Sequence, residues 1–175
     1  MINLRIVRQT FDFDCGAKAL QTVMEYYGVE VREDNLLKEL KTDEEGTSVV
    51  HMTDVAKKMG FQVFAAENVS LEEVRHFVEG GYPVIVLVQA WAERYMTNEN
   101  WKKDYEDGHY VVVIGFEGPI VIFEDPSSFH RTWLTEEEFL ARWHDQDSRT
   151  GQKLEHFAMV LLGKKPAVRT PEHMD

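Results

Sequence analysis

Residues 9–20 read QTFDFDCGAKAL, and Cys15 within them is the single cysteine of a 175-residue chain. Beyond it, Gly16, Ala17, Ala19, Leu20, Val23, Met24 and Tyr27 set small and apolar side chains at i, i+3, i+4 and i+7, the period of a helix buried along one face. Cys15 therefore falls at or beside a helix N-terminus, where a loop turns into the helix. Unpaired backbone N–H groups and the positive end of the peptide dipoles favour a thiolate there, and the thiolate is the nucleophilic form. A lone cysteine is also commonly a small buried hydrophobe, so position alone leaves both readings open.

Outward from this stretch, Gly28 is a C-terminal stop, and Asp34 to Leu40 form a short helix. Thr47 or Ser48 caps a third helix, ended by Gly60, whose apolar face carries Val49, Val50, Met52, Val55, Ala56 and Met59. The period then changes. Phe61 to Ala65 alternates as a strand, and Ser70-Leu-Glu-Glu73 is a capping box opening a helix that stops at Gly80-Gly81. The run VIVLV after Pro83 suits a strand covered on both faces. Trp91 to Gly108 has no clean period. Tyr110 to Gly115 and Ile120 to Phe123 follow as strands joined at Gly118-Pro119, then a helix capped at Thr135 and a last strand from Phe157 to Leu162. Strands this close in sequence pair antiparallel, so the predicted class is α+β: N-terminal helices packed on a mostly antiparallel sheet. One domain is expected over residues 1–163, followed by a polar tail, 164–175, that is loose at its end.

Composition narrows the function. A net charge of −12 and no basic face exclude a general nucleic-acid or anionic-membrane binder. One cysteine cannot close an internal disulfide or form half of a Cys-x-x-Cys pair, which points to a reducing compartment. No signal-peptide core and no run of eighteen apolar residues is present, so the expected location is cytoplasmic and unanchored. No cofactor is implied, and no cluster has metal-site spacing.

A catalytic thiol needs a group to take its proton, since its ordinary pKa near roughly 8.5 leaves it mostly neutral. Of seven histidines, His51, His76 and His173 read as solvated, while His130, His144 and His156 are ambiguous. His109 differs from these. It opens the apolar run YVVVIG directly after Gly108, where a rigid sheet edge holds the ring and a small neighbour leaves room for substrate, although a structural histidine fits that position equally well. Asp125 closes the next strand as Asp-Pro, and in an antiparallel pair the start of one strand lies beside the end of the next. A carboxylate there fixes the imidazole tautomer and stabilises imidazolium, although taken alone a turn residue before Pro126 is the commoner role for it. Gln9, upstream of Cys15, can add an amide donor to an oxyanion beside the Cys15 backbone N–H.

Taken together, Gln9, Asp14-Cys15-Gly16 and the small-residue helix, strand-opening His109 and Asp125-Pro126 resemble the C39 cysteine peptidases, papain-like domains that process bacteriocin leader peptides. The segment from Gly46 to Gly60 and the closing TEEEF helix also resemble that family, so the likeness runs to about Leu162. It implies a papain-like fold and a cysteine peptidase in which Cys15 is the nucleophile, His109 the base and then acid, Asp125 the orienting residue and Gln9 the oxyanion donor. The substrate implied is a peptide or protein, in the transporter-linked members a leader cut after a double glycine. Two departures stand against full transfer. The chain carries no transmembrane or nucleotide-binding part, and Trp91 to Gly108 is longer than the family's link before the histidine. Its Trp91, Tyr95, Trp101 and Tyr105 read either as a lid or cleft wall or as core filling. An acyltransferase passing the acyl group to an amine, and a non-catalytic peptide-binding module, remain open beside the peptidase.

Overall fold

Helices lead the chain, as the apolar spacing requires: α1 (Cys15–Tyr26), α2 (Glu33–Leu40) and α3 (Val49–Lys58) precede any strand in this computed structural model, which describes residues 1–168 and 173. After them come β1 (Gln62–Ala66), α4 (Leu71–Glu79), β2 (Val84–Gln89), the single turn α5 (Asn98–Trp101), β3 (Gly108–Glu117), β4 (Ile120–Glu124) and β5 (Thr132–Thr135). Then α6 (Glu136–Arg142), β6 (His144–Gln146), β7 (Lys153–Glu155) and β8 (Ala158–Leu162) complete the described chain. Local chemistry sets most boundaries. Ser48 accepts from the His51 N–H at the start of α3, and both Ser70 and Thr135 form complete capping boxes with Glu73 and Glu138. Gly28, at a φ of +75°, takes the left-handed turn that ends α1.

Six strands form one sheet in the order β1-β8-β2-β3-β4-β5, with each neighbouring pair antiparallel. The class is α+β, as expected. β2 is buried at every position because α4 and α6 both pack on it and it lies between β8 and β3. β6 and β7 make a separate hairpin. The sequence pattern does not show β5, β6 or β7: they are three or four residues long, His144-Asp-Gln has no apolar residue, and the single Leu in Lys153-Leu-Glu is too short a pattern to read. Pairing with distant partners makes these segments strands. The chain remains attached beyond residue 163, where the Ala167 N–H donates to the Tyr26 carbonyl at 2.9 Å. Residues 169–172, 174 and 175, where the loose end was expected, lie outside the described residues.

The first helix is more deeply placed than its one apolar face implied. Every residue from Gly16 to Met24 is buried, including Lys18, Gln21 and Thr22. Their polar atoms tie α1 to segments that its period does not reveal. Lys18 Nζ pairs with Glu33 at 2.9 Å, Gln21 Nε2 donates to the Val31 carbonyl at 2.9 Å, and Thr22 Oγ1 accepts from the Val7 N–H at 2.9 Å. A Cβ at Gly16 would meet the Tyr110 ring on β3 at 2.9–3.0 Å and Thr47 Cβ at 3.1 Å. The ring cannot retreat easily, because Tyr110 is buried and its hydroxyl donates to the Thr47 carbonyl at 2.8 Å. Gly16→Ala adds up to about 1 kcal/mol of helix propensity but overpacks this contact by about 1–3 kcal/mol. A net loss of about 1 kcal/mol is expected in urea unfolding, with slower alkylation of Cys15 as α1 moves off β3.

Candidate active site

Cys15 is the first residue of α1 and is half-buried. Asp14, the N-cap, gives its side chain to no helix N–H; its Oδ2 accepts instead from the Thr10 N–H at 3.0 Å. The loop before the cysteine is thus closed on itself, and the first-turn N–H groups are left without a side-chain cap beside the sulfur. Asp14 is fully buried and its Oδ1 has no partner among the described residues.

His109 enters from β3, one residue inside its start, where it sits opposite Val88 of β2. β3 is an interior strand, so the ring stands at the end of a central strand and not at the sheet's edge. The glycine before it lines the cleft that holds Cys15 and also serves a purpose that was not expected. A Cβ on Gly108 would meet the Asp145 carboxylate at 2.5–2.7 Å, so the small residue makes room for Asp145 of β6. Asp125 follows directly on β4, in a register that sets Val112 opposite Glu124. The imidazole Nε2 and Asp125 Oδ1 are 2.7 Å apart, and both side chains are buried. A carboxylate only accepts, so Nε2 carries a hydrogen in either ring state and Nδ1 is the nitrogen that gains and loses a proton. Ser127 Oγ lies 3.4 Å from the same Nε2, and Cys15 is the second group, after Asp125, that raises the ring's pKa.

The electrostatics follow from these contacts. Burial works to lower the His109 pKa, but the hydrogen bonds to Asp125 and Cys15 and their charges outweigh it, and the ring is raised to about 9. Burial likewise works to raise Asp125, yet the hydrogen bond from His109, its charge and the Ser127 N–H and hydroxyl hold the carboxyl below its ordinary value. Ser127 donates to Asp125 Oδ1 from its backbone at 2.9 Å and from its Oγ at 2.8 Å. The second carboxylate oxygen, Oδ2, accepts from the indole Nε1–H of Trp91 at 3.0 Å.

Gln9 lies in the same neighbourhood, since its backbone N–H donates to the Pro126 carbonyl at 3.0 Å. Its side-chain amide donates to the Phe11 carbonyl at 3.0 Å, and one amide hydrogen is left over. The remaining histidines have other roles. His144 is buried, with Nε2 at 2.8 Å from the Asp104 carbonyl, and His156 stacks on Trp143; His76 and His130 are exposed, and His51 is half-buried. The four aromatics between Trp91 and Gly108 divide three ways. Trp101 is buried under the Arg142 guanidinium, Tyr105 lines the cleft beside Cys15, and Trp91 and Tyr95 are exposed.

That cleft has a volume of about 380 Å³ and reaches Cys15 from between Thr47, Tyr110 and the β6–β7 hairpin. Asp12, Glu44, Glu45, Glu106, Asp145 and Asp147 line it against a single guanidinium, Arg149, which is itself paired with Asp43. Burial is the chief cause that pushes Asp145 up to about 6, against the opposing hydrogen bonds from the Gln146 backbone and Gln89. The sequence reading named Trp91 as a candidate cleft wall but not its bond to Asp125, and it missed Ser127 and this acidic lining. Ser127, two residues past Asp125, is the only one of these with a local signal. Among the described residues no group of three or more His, Cys, Asp or Glu is arranged to hold a metal ion, and no helix is long and apolar enough to cross a membrane.

Known proteins share both the sequence and the fold. The profile of the peptidase C39 family matches residues 3–146. The Lactococcin-A transport/processing ATP-binding protein LcnC of Lactococcus lactis subsp. lactis is 30% identical over 137 residues, which is 77% of this chain and 17% of that protein. Among solved structures, the peptidase domain of Streptococcus ComA, a bifunctional ABC transporter involved in quorum sensing, superposes with a TM-score of 0.66 at 26% identity, covering 91% of this chain and 98% of that one. A C39-like peptidase from Bacillus anthracis gives 0.69 at 19% identity, covering 94% and 96%. A double glycine motif protease from an AMS/PCAT transporter, solved with its leader peptide, gives 0.64 at 19% identity over 94% and 93%. A family match that spans most of the chain, carried by the same α+β architecture, means that this protein belongs to the peptidase C39 family.

Proposed function

We propose that the protein is a cysteine peptidase that hydrolyses a peptide bond through a thioester on Cys15. One observation supports the reading: the buried His109 imidazole is held by Asp125 at 2.7 Å, and Asp125 and Cys15 together raise its pKa. Nδ1 of His109 takes the thiol proton, the sulfur attacks the scissile carbonyl, and the imidazolium returns the proton to the departing amine. Water then enters, loses a proton to the same nitrogen and releases the acid. Asp125 keeps the ring oriented and stabilises its cationic form. The Cys15 backbone N–H and the Gln9 amide, turned from Phe11, supply the oxyanion donors. By kinship with processing peptidases, a leader peptide with a double glycine before the cut is the first substrate to try. Incubation with such peptides, product masses and a search for acylated Cys15 test this. The reading is lost if no peptide is cut and Cys15 alkylates no faster than a small free thiol.

The cleft's acidic lining adds an expectation about charge. Clustered carboxylates with low-dielectric walls concentrate cations and speed their association. Matched peptides with Lys or Arg flanking the cut are expected to show kcat/KM about tenfold above Asp- or Glu-flanked ones at low salt. The gap narrows when salt shortens the screening length to about 3 Å at 1 M. Equal rates at low salt would remove charge as a selector.

A further inference from the structure

Trp91 combines two unfavourable features. Its φ is +64°, a left-handed backbone conformation that is strained for any residue with a Cβ, and its large ring is 60% exposed. Neither feature favours folding. What the conformation achieves is a direction: it turns the indole N–H back from the end of β2 onto Asp125 Oδ2 at 3.0 Å, across 34 positions of sequence. Trp91 is the only partner of that oxygen among the described residues, whereas Oδ1 already holds His109 and Ser127. A carboxylate held at one oxygen can swing about its terminal torsion. Held at both, its plane is fixed, and Oδ1 stays aimed at the imidazole.

We propose that Trp91 is a positioning residue of the site, its indole N–H locking the Asp125 carboxylate so that His109 is held for proton transfer with Cys15. The inference rests on the peptidase reading above. It assigns a function to the start of the long Trp91–Gly108 stretch, which is anchored by the Ala90 N–H on the Asp107 carbonyl at 2.9 Å and by Arg94 on Asp104 at 2.7 Å and Asp107 at 2.9 Å. That anchoring holds Trp91 in its strained conformation. The indole also walls an apolar cavity of about 210 Å³ with Trp133, so the ring and its N–H have separable roles.

Trp91→Phe keeps a ring and deletes the donor; Trp91→Ala deletes both. Both variants are expected to lower kcat about tenfold, the scale of one hydrogen bond to a charged group, with KM little changed. Both also move the alkaline limb of kcat/KM to lower pH, because a loosened carboxylate supports the imidazolium less. Iodoacetate labelling of Cys15 against pH gives the same reading without substrate. This anionic reagent is helped by a neighbouring imidazolium, so labelling peaks while the Cys15–His109 ion pair exists, and the peak's alkaline side should fall earlier in Trp91→Phe. A normal peak in the parent protein that Trp91→Phe leaves in place, with unchanged kcat, overturns the assignment to Trp91 alone. A parent protein with no His109-dependent peak overturns the ion pair and this assignment with it. Thermal unfolding of both variants identifies any loss that comes from misfolding, and a Phe variant that matches the parent while Ala fails assigns the effect to the ring.

Discussion

Cys15→Ala is expected to abolish peptide hydrolysis, lowering kcat by at least about 10⁴-fold, while peptide binding and fold persist. The argument is structural as well as chemical. Cys15 is half-buried at the first position of α1 and makes no packing contribution comparable to Leu20 or Val23, so its truncation should change stability by less than about 1 kcal/mol. Among the described residues the one other nucleophile bonded to the imidazole is misplaced: Ser127 Oγ lies 3.4 Å from His109, but on Nε2, the nitrogen already committed to Asp125. Effects of nucleophile and base are grossly non-additive, so Cys15→Ala/His109→Ala should be little worse than either single change. Calorimetric titration with an uncut peptide separates binding from turnover. A Cys15→Ala protein that retains a hundredth of the parent rate would mean that the sulfur is not the nucleophile. Retained function in a peptide-binding assay, with no hydrolysis by the parent, would favour a binding module instead.

His109→Ala should cost about 10³- to 10⁴-fold in kcat/KM and carry a pH signature that no merely structural residue shows. With the ring raised to about 9, the imidazolium needed by the leaving amine survives through neutral pH, and activity falls as pH rises through that value. The same shift has a stability consequence. In the unfolded chain a histidine titrates near 6.5, so the folded state's preference for the protonated ring is fully expressed below that value and is lost as pH rises through about 9. The loss is on the order of 3 kcal/mol, and urea midpoints at pH 6 and pH 10 measure it. Asp125 behaves oppositely: its depressed pKa contributes above the ordinary carboxylate range and is lost in acid. If His109→Ala shows the parent's alkaline loss of stability undiminished, another group is responsible.

Local signals fared unevenly along the chain. Capping at Ser48, Ser70 and Thr135 and the run from Val84 to Val88 were legible because each depends on side chains within a few residues of the backbone they control. His109 and Asp125 were also legible as neighbours, since a short antiparallel connection forces one strand's start beside the next one's end. Lys18 was not legible as buried, because a charge in an apolar period reads as solvent-facing until Glu33 of α2 covers it. Gly108 was legible as a small residue beside the cleft, but the second reason for it was not: the carboxylate of Asp145, far along the chain, would meet any Cβ there.

Sequence alone determined the order of the longer helices and strands, the α+β class and the residues with the right chemistry for a thiol site, because these depend on local spacing, capping and short connections. Tertiary structure alone decided which strands pair across the sheet, that β3 is interior, that the cleft beside Cys15 is acidic and that Trp91 reaches Asp125. Those contacts join residues tens of positions apart, and free energy of burial and hydrogen bonding across such distances has no period in the chain from which it can be read.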